Sequence, residues 1–189
     1  MVCPVGAPGT SGQGAAGVAS ATRRADRRGR LTERRAVPQC PRVPPDGGWS
    51  VAQVFEHLCL SNLAYLDGPL AQAVEQARAR GPAVRPWRPS VLGGWLSSTL
   101  DAPGNRLPTV PKFRVGPVVR DAVVDVFLAS IARARTLVLE TERFDLFVGL
   151  ASPASPLIRL NLGDALRILV VHSHRHLAQA ERTRRAVGM

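Results

Sequence analysis

The stretch Val171-His172-Ser173-His174-Arg175-His176-Leu177-Ala178-Gln179 decides how the chain is read. It holds three of the four histidines of the protein, inside a longer helical pattern from Leu162 to Arg185. At about 100° per residue, His176 falls about 40° from His172, and Gln179 about 20° to its other side. Ile168, Ala165 and Leu169 lie within about 60° of His172, so this is the apolar, inward face. His174 falls about 200° away, on the outer face. The cluster is therefore one i,i+4 pair, near enough to share an ion, and one bystander. Asn161 or Asp164 caps the start of this helix.

The remaining histidine, His57, stands in a second helical pattern. Ser50 is a good N-cap, and Gln53 three residues on completes a capping box. Trp49 and Val54 are placed for a hydrophobic staple. Val51 to Leu60 then runs as a helix that puts His57 on one face with Val54, Leu60, Ser61 and Ala64. Gly68-Pro69 breaks it, and helical composition resumes over Leu70 to Arg80. A third helix is expected from about Pro117 to Glu142, with Val124, Phe127, Ile131, Ala134 and Val138 on its apolar face. Between these elements, residues 81–117 carry seven prolines. Their scattered tryptophans and leucines predict a long connection that packs over the helices. Phe144 to Pro156 reads as a loop, and Leu157 to Leu160 as extended or a short turn. With almost no strand signal, the fold class is all-α.

Composition bounds the rest. The chain has 189 residues, 45% of them hydrophobic, and a net charge of +11. One domain with an appendage fits that length. Residues 1–43 are rich in Arg, Gly and Ala and nearly devoid of large apolar side chains. They are expected to be a disordered or weakly helical extension, with the helical domain over 44–186. Of the 25 basic residues 24 are arginine, which points to coding bias and away from a nucleic-acid partner. No apolar run is long enough for a membrane span, and no signal peptide is evident, so a cytoplasmic location is expected. Cys3, Cys40 and Cys59 share no ligand spacing and read as reduced thiols.

A lone histidine on an apolar face is more often a satisfied core residue than a ligand. His172 follows four aliphatic residues, however, and needs a partner where it is buried. If His57 faces His172 and His176, three neutral imidazoles surround one position and leave a coordination site open, as in catalytic zinc centres. Gln179, one turn past His176, is placed to hold a ligand imidazole or a substrate, or to sit in solvent. Arg175 flanks the same face. Glu56 is a candidate acid or base, Cys59 a small core residue, and Trp49 a packing anchor. Trp87 and Trp95 are candidates to roof the pocket. The absence of paired Glu-x-x-His motifs argues against a di-iron bundle.

Two stretches together, Gly48-Trp49-Ser50-Val51-Ala52-Gln53-Val54-Phe55-Glu56-His57-Leu58 and His172 to Gln179, resemble the signature segments of the DinB-like superfamily. Lys112-Phe113-Arg114-Val115-Gly116-Pro117 resembles the proline-rich link of those proteins. The resemblance covers about residues 44–185. It implies a four-helix bundle whose first helix is poorly defined here, because residues 1–43 make a poor amphipathic helix. It also implies a divalent transition metal, zinc or nickel, held by His57, His172 and His176. The activity implied is that of a metal-dependent hydrolase or of a thiol transferase acting with a low-molecular-weight thiol on a small-molecule substrate. A non-catalytic metal- or ligand-binding bundle is the alternative. The resemblance leaves room for a homodimer, which the sequence does not set.

Overall fold

The structure, a computed structural model, describes residues 42–45, 47–102 and 108–189, all within a compact unit spanning Val37–Met189. The extension expected over residues 1–43 lies outside the described residues except for its last two positions. The described residues are mostly helical: α1 Val51–Leu66, α2 Pro69–Arg80, α3 Val91–Asp101, α4 Val123–Thr141 and α5 Leu162–Ala186. A single 3-10 turn, Pro111–Phe113, and a two-stranded sheet complete them.

Helix α1 starts where its capping box dictates. The Ser50 hydroxyl accepts from the Gln53 backbone amide, and the Gln53 side chain accepts from that of Ser50. Two orphan amides are thereby satisfied. Pro69 opens α2 at the position where its missing N–H costs nothing. Helix α1 is the central element. Leu58 and Cys59 on one side meet Val123 and Phe127 of α4, while Val54 packs with Ala180 of α5. His57 lies on the side of α1 that meets α5.

The all-α expectation needs one correction. Gly149–Ser152 (β1) and Ser155–Asn161 (β2) form an antiparallel hairpin, with Leu150 opposite Leu160 and an irregularity between Ala151 and Ser152. Both leucines are buried in the main apolar cluster with Leu70, Val74 and Leu162. Strand β2 passes straight into α5. Asn161 is the last strand residue and also the N-cap, and Asp164 returns the second bond of a capping box. Of the two candidates Asn161 is the cap, and Asp164 is the N3 residue that completes the box.

The long connection also contains more structure than expected. Helix α3 forms inside it, capped by Ser90, and packs along α5. Its glycines permit this. A Cβ on Gly93 would lie 2.1 Å from the Asp164 carboxyl carbon, so only glycine admits the approach. The Ser90 amide donates to Asp164 Oδ1 at the same junction. Helix α4 begins later than expected, at Val123 and not near Pro117. Residues 117–122 are held irregular, with Arg120 bound through two nitrogens to the carboxylate of Glu56 on α1. Of the expected apolar face of α4, Phe127 is buried and Val124, Ile131 and Ala134 pack against the apolar clusters, but Val138 is 44% exposed.

Candidate metal centre

The third turn of α1 and the middle of α5 bring His57, His172 and His176 together. One ring nitrogen from each can be chosen so that all three lie within 4.8 Å of one another. His57 Nε2 is 3.2 Å from His172 Nε2. Ring centroids are 5.1 Å apart for His57 and His172, and 4.5 Å for each of the other two pairs. His57 is buried and the other two half-buried. His174 is exposed on the outer face, as the helical angles required.

Two of the three rings are held from outside. Phe113 supplies a backbone carbonyl 2.9 Å from His57 Nδ1. A carbonyl can only accept, so this nitrogen carries the proton and Nε2 offers its lone pair inward. Gln179 Oε1 lies 2.7 Å from His176 Nδ1. No hydrogen bond among the described residues engages the second nitrogen of His172. Trp49 packs against the site, with its ring 4.8 Å from His57 and 6.3 Å from His176. Phe113 meets His57 edge-on at 6.5 Å.

The electrostatics favour neutral rings. Burial depresses the pKa of His57, partly offset by the Phe113 hydrogen bond. His172 is held well below its ordinary value by burial, then by the charges of His176, His57 and Arg175. Burial and the charge of His57 take His176 down to about 4, against the opposing effect of Gln179. Rings neutral at pH 7 need lose no proton to bind a cation.

The donor set fits a first-row transition ion. Zinc–nitrogen bonds of about 2.0–2.1 Å at tetrahedral angles place ligand nitrogens about 3.3 Å apart, close to the His57–His172 separation. All-imidazole ligation suits zinc, nickel or copper, whereas magnesium and calcium take oxygen ligands. Two lone pairs facing each other across such a gap repel unless a proton or a cation lies between them.

The neighbouring residues sort differently from what the sequence suggested. Glu56 is committed to Arg120 and is not free as an acid or base. Arg175 does not wait for an anion; its guanidinium donates to the carbonyls of Leu100 and Ala102 at the end of α3. Trp87 does not roof the histidines. It donates to Asn161 Oδ1 and covers Gly163, at the start of α5. Trp95 is 62% exposed. Cys59 is buried as expected, its sulfur 3.4 Å from the Val123 carbonyl, and burial pushes its thiol up to about 11. Sequence reasoning missed the Phe113 carbonyl, because a backbone group leaves no residue-type signal. It also undervalued Trp49, whose position two residues before the helix gave no hint of ring contact with histidines.

A family model described as the DinB superfamily matches residues 22–180, and the chain belongs to that superfamily. The match begins inside the segment read from composition as an extension. No curated protein and no solved structure matches the chain. Among the described residues, no helix is long and apolar enough to cross a membrane.

Proposed function

We propose that this DinB-superfamily chain is a metal-dependent enzyme whose single divalent transition ion, zinc or nickel, is held by His57, His172 and His176. The observation that carries the reading is the convergence of three ring nitrogens within 4.8 Å on helices far apart in sequence. An ion bound there would lower the pKa of a water or thiol in the remaining position towards neutrality. The chain's own residues do the rest. Phe113 and α1 fix His57, α5 sets the spacing of the other two ligands, and Trp49 supplies an apolar wall. Of the two chemistries the superfamily suggests, transfer of a low-molecular-weight thiol to a small-molecule substrate needs no separate general base. Hydrolysis gains from one, and the carboxylate nearest in sequence, Glu56, is tied to Arg120. Cys59, the one cysteine among the described residues, is too buried and too weakly acidic to be the thiol.

Elemental analysis of the purified protein tests the metal, and a panel of thiol-transfer and ester or amide hydrolysis assays tests the chemistry. One equivalent of zinc or nickel that is lost in His172→Ala, together with metal-dependent thiol consumption, supports the reading. Stoichiometric metal with no turnover in either assay would favour a non-catalytic metal-binding bundle. Metal-free protein whose melting point is unchanged by His172→Ala and by added zinc would remove both.

A further inference from the structure

The two candidate ligands whose outer nitrogens are hydrogen-bonded, His57 of α1 and His176 of α5, are not built alike. His57 is oriented by a backbone carbonyl, which no substitution of a side chain can remove. His176 is oriented by a side chain three residues along its own helix, with Gln179 Oε1 2.7 Å from Nδ1. Gln179 is half-buried, and its side chain makes no other hydrogen bond among the described residues. An amide has two faces, and only its oxygen can accept the imidazole proton. A neutral, unrestrained imidazole favours the proton on Nε2, which would cap the nitrogen that faces His57 and His172. Acceptors on the outer nitrogen of a metal-ligating histidine set its tautomer and raise its basicity.

We propose that Gln179 is the positioning residue of the site. By accepting from Nδ1–H, it keeps the inward Nε2 of His176 deprotonated before any ion arrives. This rests on the metal reading of the three histidines, but its first consequence belongs to the metal-free protein. Gln179→Leu keeps the bulk and removes the acceptor; Gln179→Glu keeps an acceptor and strengthens it.

Long-range ¹H–¹⁵N correlation spectra of metal-free protein at pH 7.5 report the tautomer of each ring. His176 is expected as Nδ1–H in the wild type and in Gln179→Glu, and with a substantial Nε2–H population in Gln179→Leu. Competition with a chromophoric chelator gives the Zn²⁺ dissociation constant. Gln179→Leu is expected to bind roughly 10–100-fold more weakly, with Gln179→Glu at least as tight as wild type. A purely structural role predicts instead that both variants change the melting point and neither changes the tautomer. Gln179→Ala serves in place of the leucine variant if that one does not fold. Zn²⁺ binding undiminished in the acceptor-free variant, or an Nε2–H ring in metal-free wild type, overturns the role of Gln179 alone. No Zn²⁺ binding by the wild type overturns the metal reading beneath it.

Discussion

His57, His172 and His176 occupy surroundings that favour their uncharged forms, and this has a measurable cost in acid. In the unfolded chain the same rings take up protons near pH 6.5. In the fold all three resist doing so, chiefly because they are buried. Below pH 6.5 the unfolded state therefore binds more protons than the folded one. The contribution is complete above pH 6.5 and is lost as the pH falls towards the folded value of about 4 at His176. Chelator-treated protein should lose about 2 kcal/mol or more of unfolding free energy between pH 7.5 and 5, measured by urea titration. His176→Leu should flatten that slope, and an equally steep slope in the variant would contradict the assignment. At this scale much of the site was legible. The i,i+4 spacing selected His172 and His176 and set His174 aside, because helical geometry alone fixes which face a residue takes. Gln179, one turn past His176, was also within reach of the sequence, and it is the hydrogen-bond partner of that ring. What was not legible was the partner of His57, a carbonyl 56 residues away that only the folded path of the chain brings near.

Among the elements, α5 is the one whose placement matters most, and small residues secure it. Trp87 lies where a Cβ on Gly163 would be, 2.3 Å from the nearest indole atoms, and Gly93 gives way to Asp164 in the same manner. Overpacking costs about 1–3 kcal/mol. Gly163→Ala and Gly93→Ala should each lower stability by that amount in chemical denaturation, whereas Gly116→Ala, with open space around its Cβ position, should change it little. Equal losses at all three would refute the packing account. These glycines also explain why α3 escaped the sequence reading. Adjacent glycines cost roughly 1 kcal/mol each in a helix, and the segment is flanked by prolines. Tertiary contact with α5 outweighs that deficit. The hairpin was read only in part, as an extended stretch or turn over Leu157 to Leu160, for a different reason. Its four-residue β1 and proline-bearing β2 are short and irregular, with Leu150, Leu160 and, in part, Ile158 packed on the core while Leu157 is exposed. By contrast the capping boxes at Ser50 and Asn161 are local in sequence, and both helix starts were found.

At the scale of the whole molecule, the site joins the two helices on which the apolar clusters converge, so an ion there acts on global stability. A ligand at about 100 times its dissociation constant adds about 2.7 kcal/mol to the folded state. For a chain of this size that corresponds to a rise of roughly 5–10 °C in Tm. Calorimetry with and without excess Zn²⁺ should show such a rise in the wild type and none in His57→Ala. A shift that persists in the variant would place the binding elsewhere. Beside the site, Arg175 and Arg120 serve the protein's own carbonyl and carboxylate groups, and the charge of Arg175 also disfavours protonation of His172 and His176.

The 115 residues that separate His57 from His172 carry one more consequence. In the unfolded chain His172, His174 and His176 stay close in sequence, but adding His57 means closing that loop at a cost of about 4 kcal/mol. An ion held by all three rings would thus work as a removable staple between distant parts of the chain. Its release rate should follow the separation of α1 from α5, so metal escape timed against a scavenging chelator becomes a clock for the opening of the fold itself.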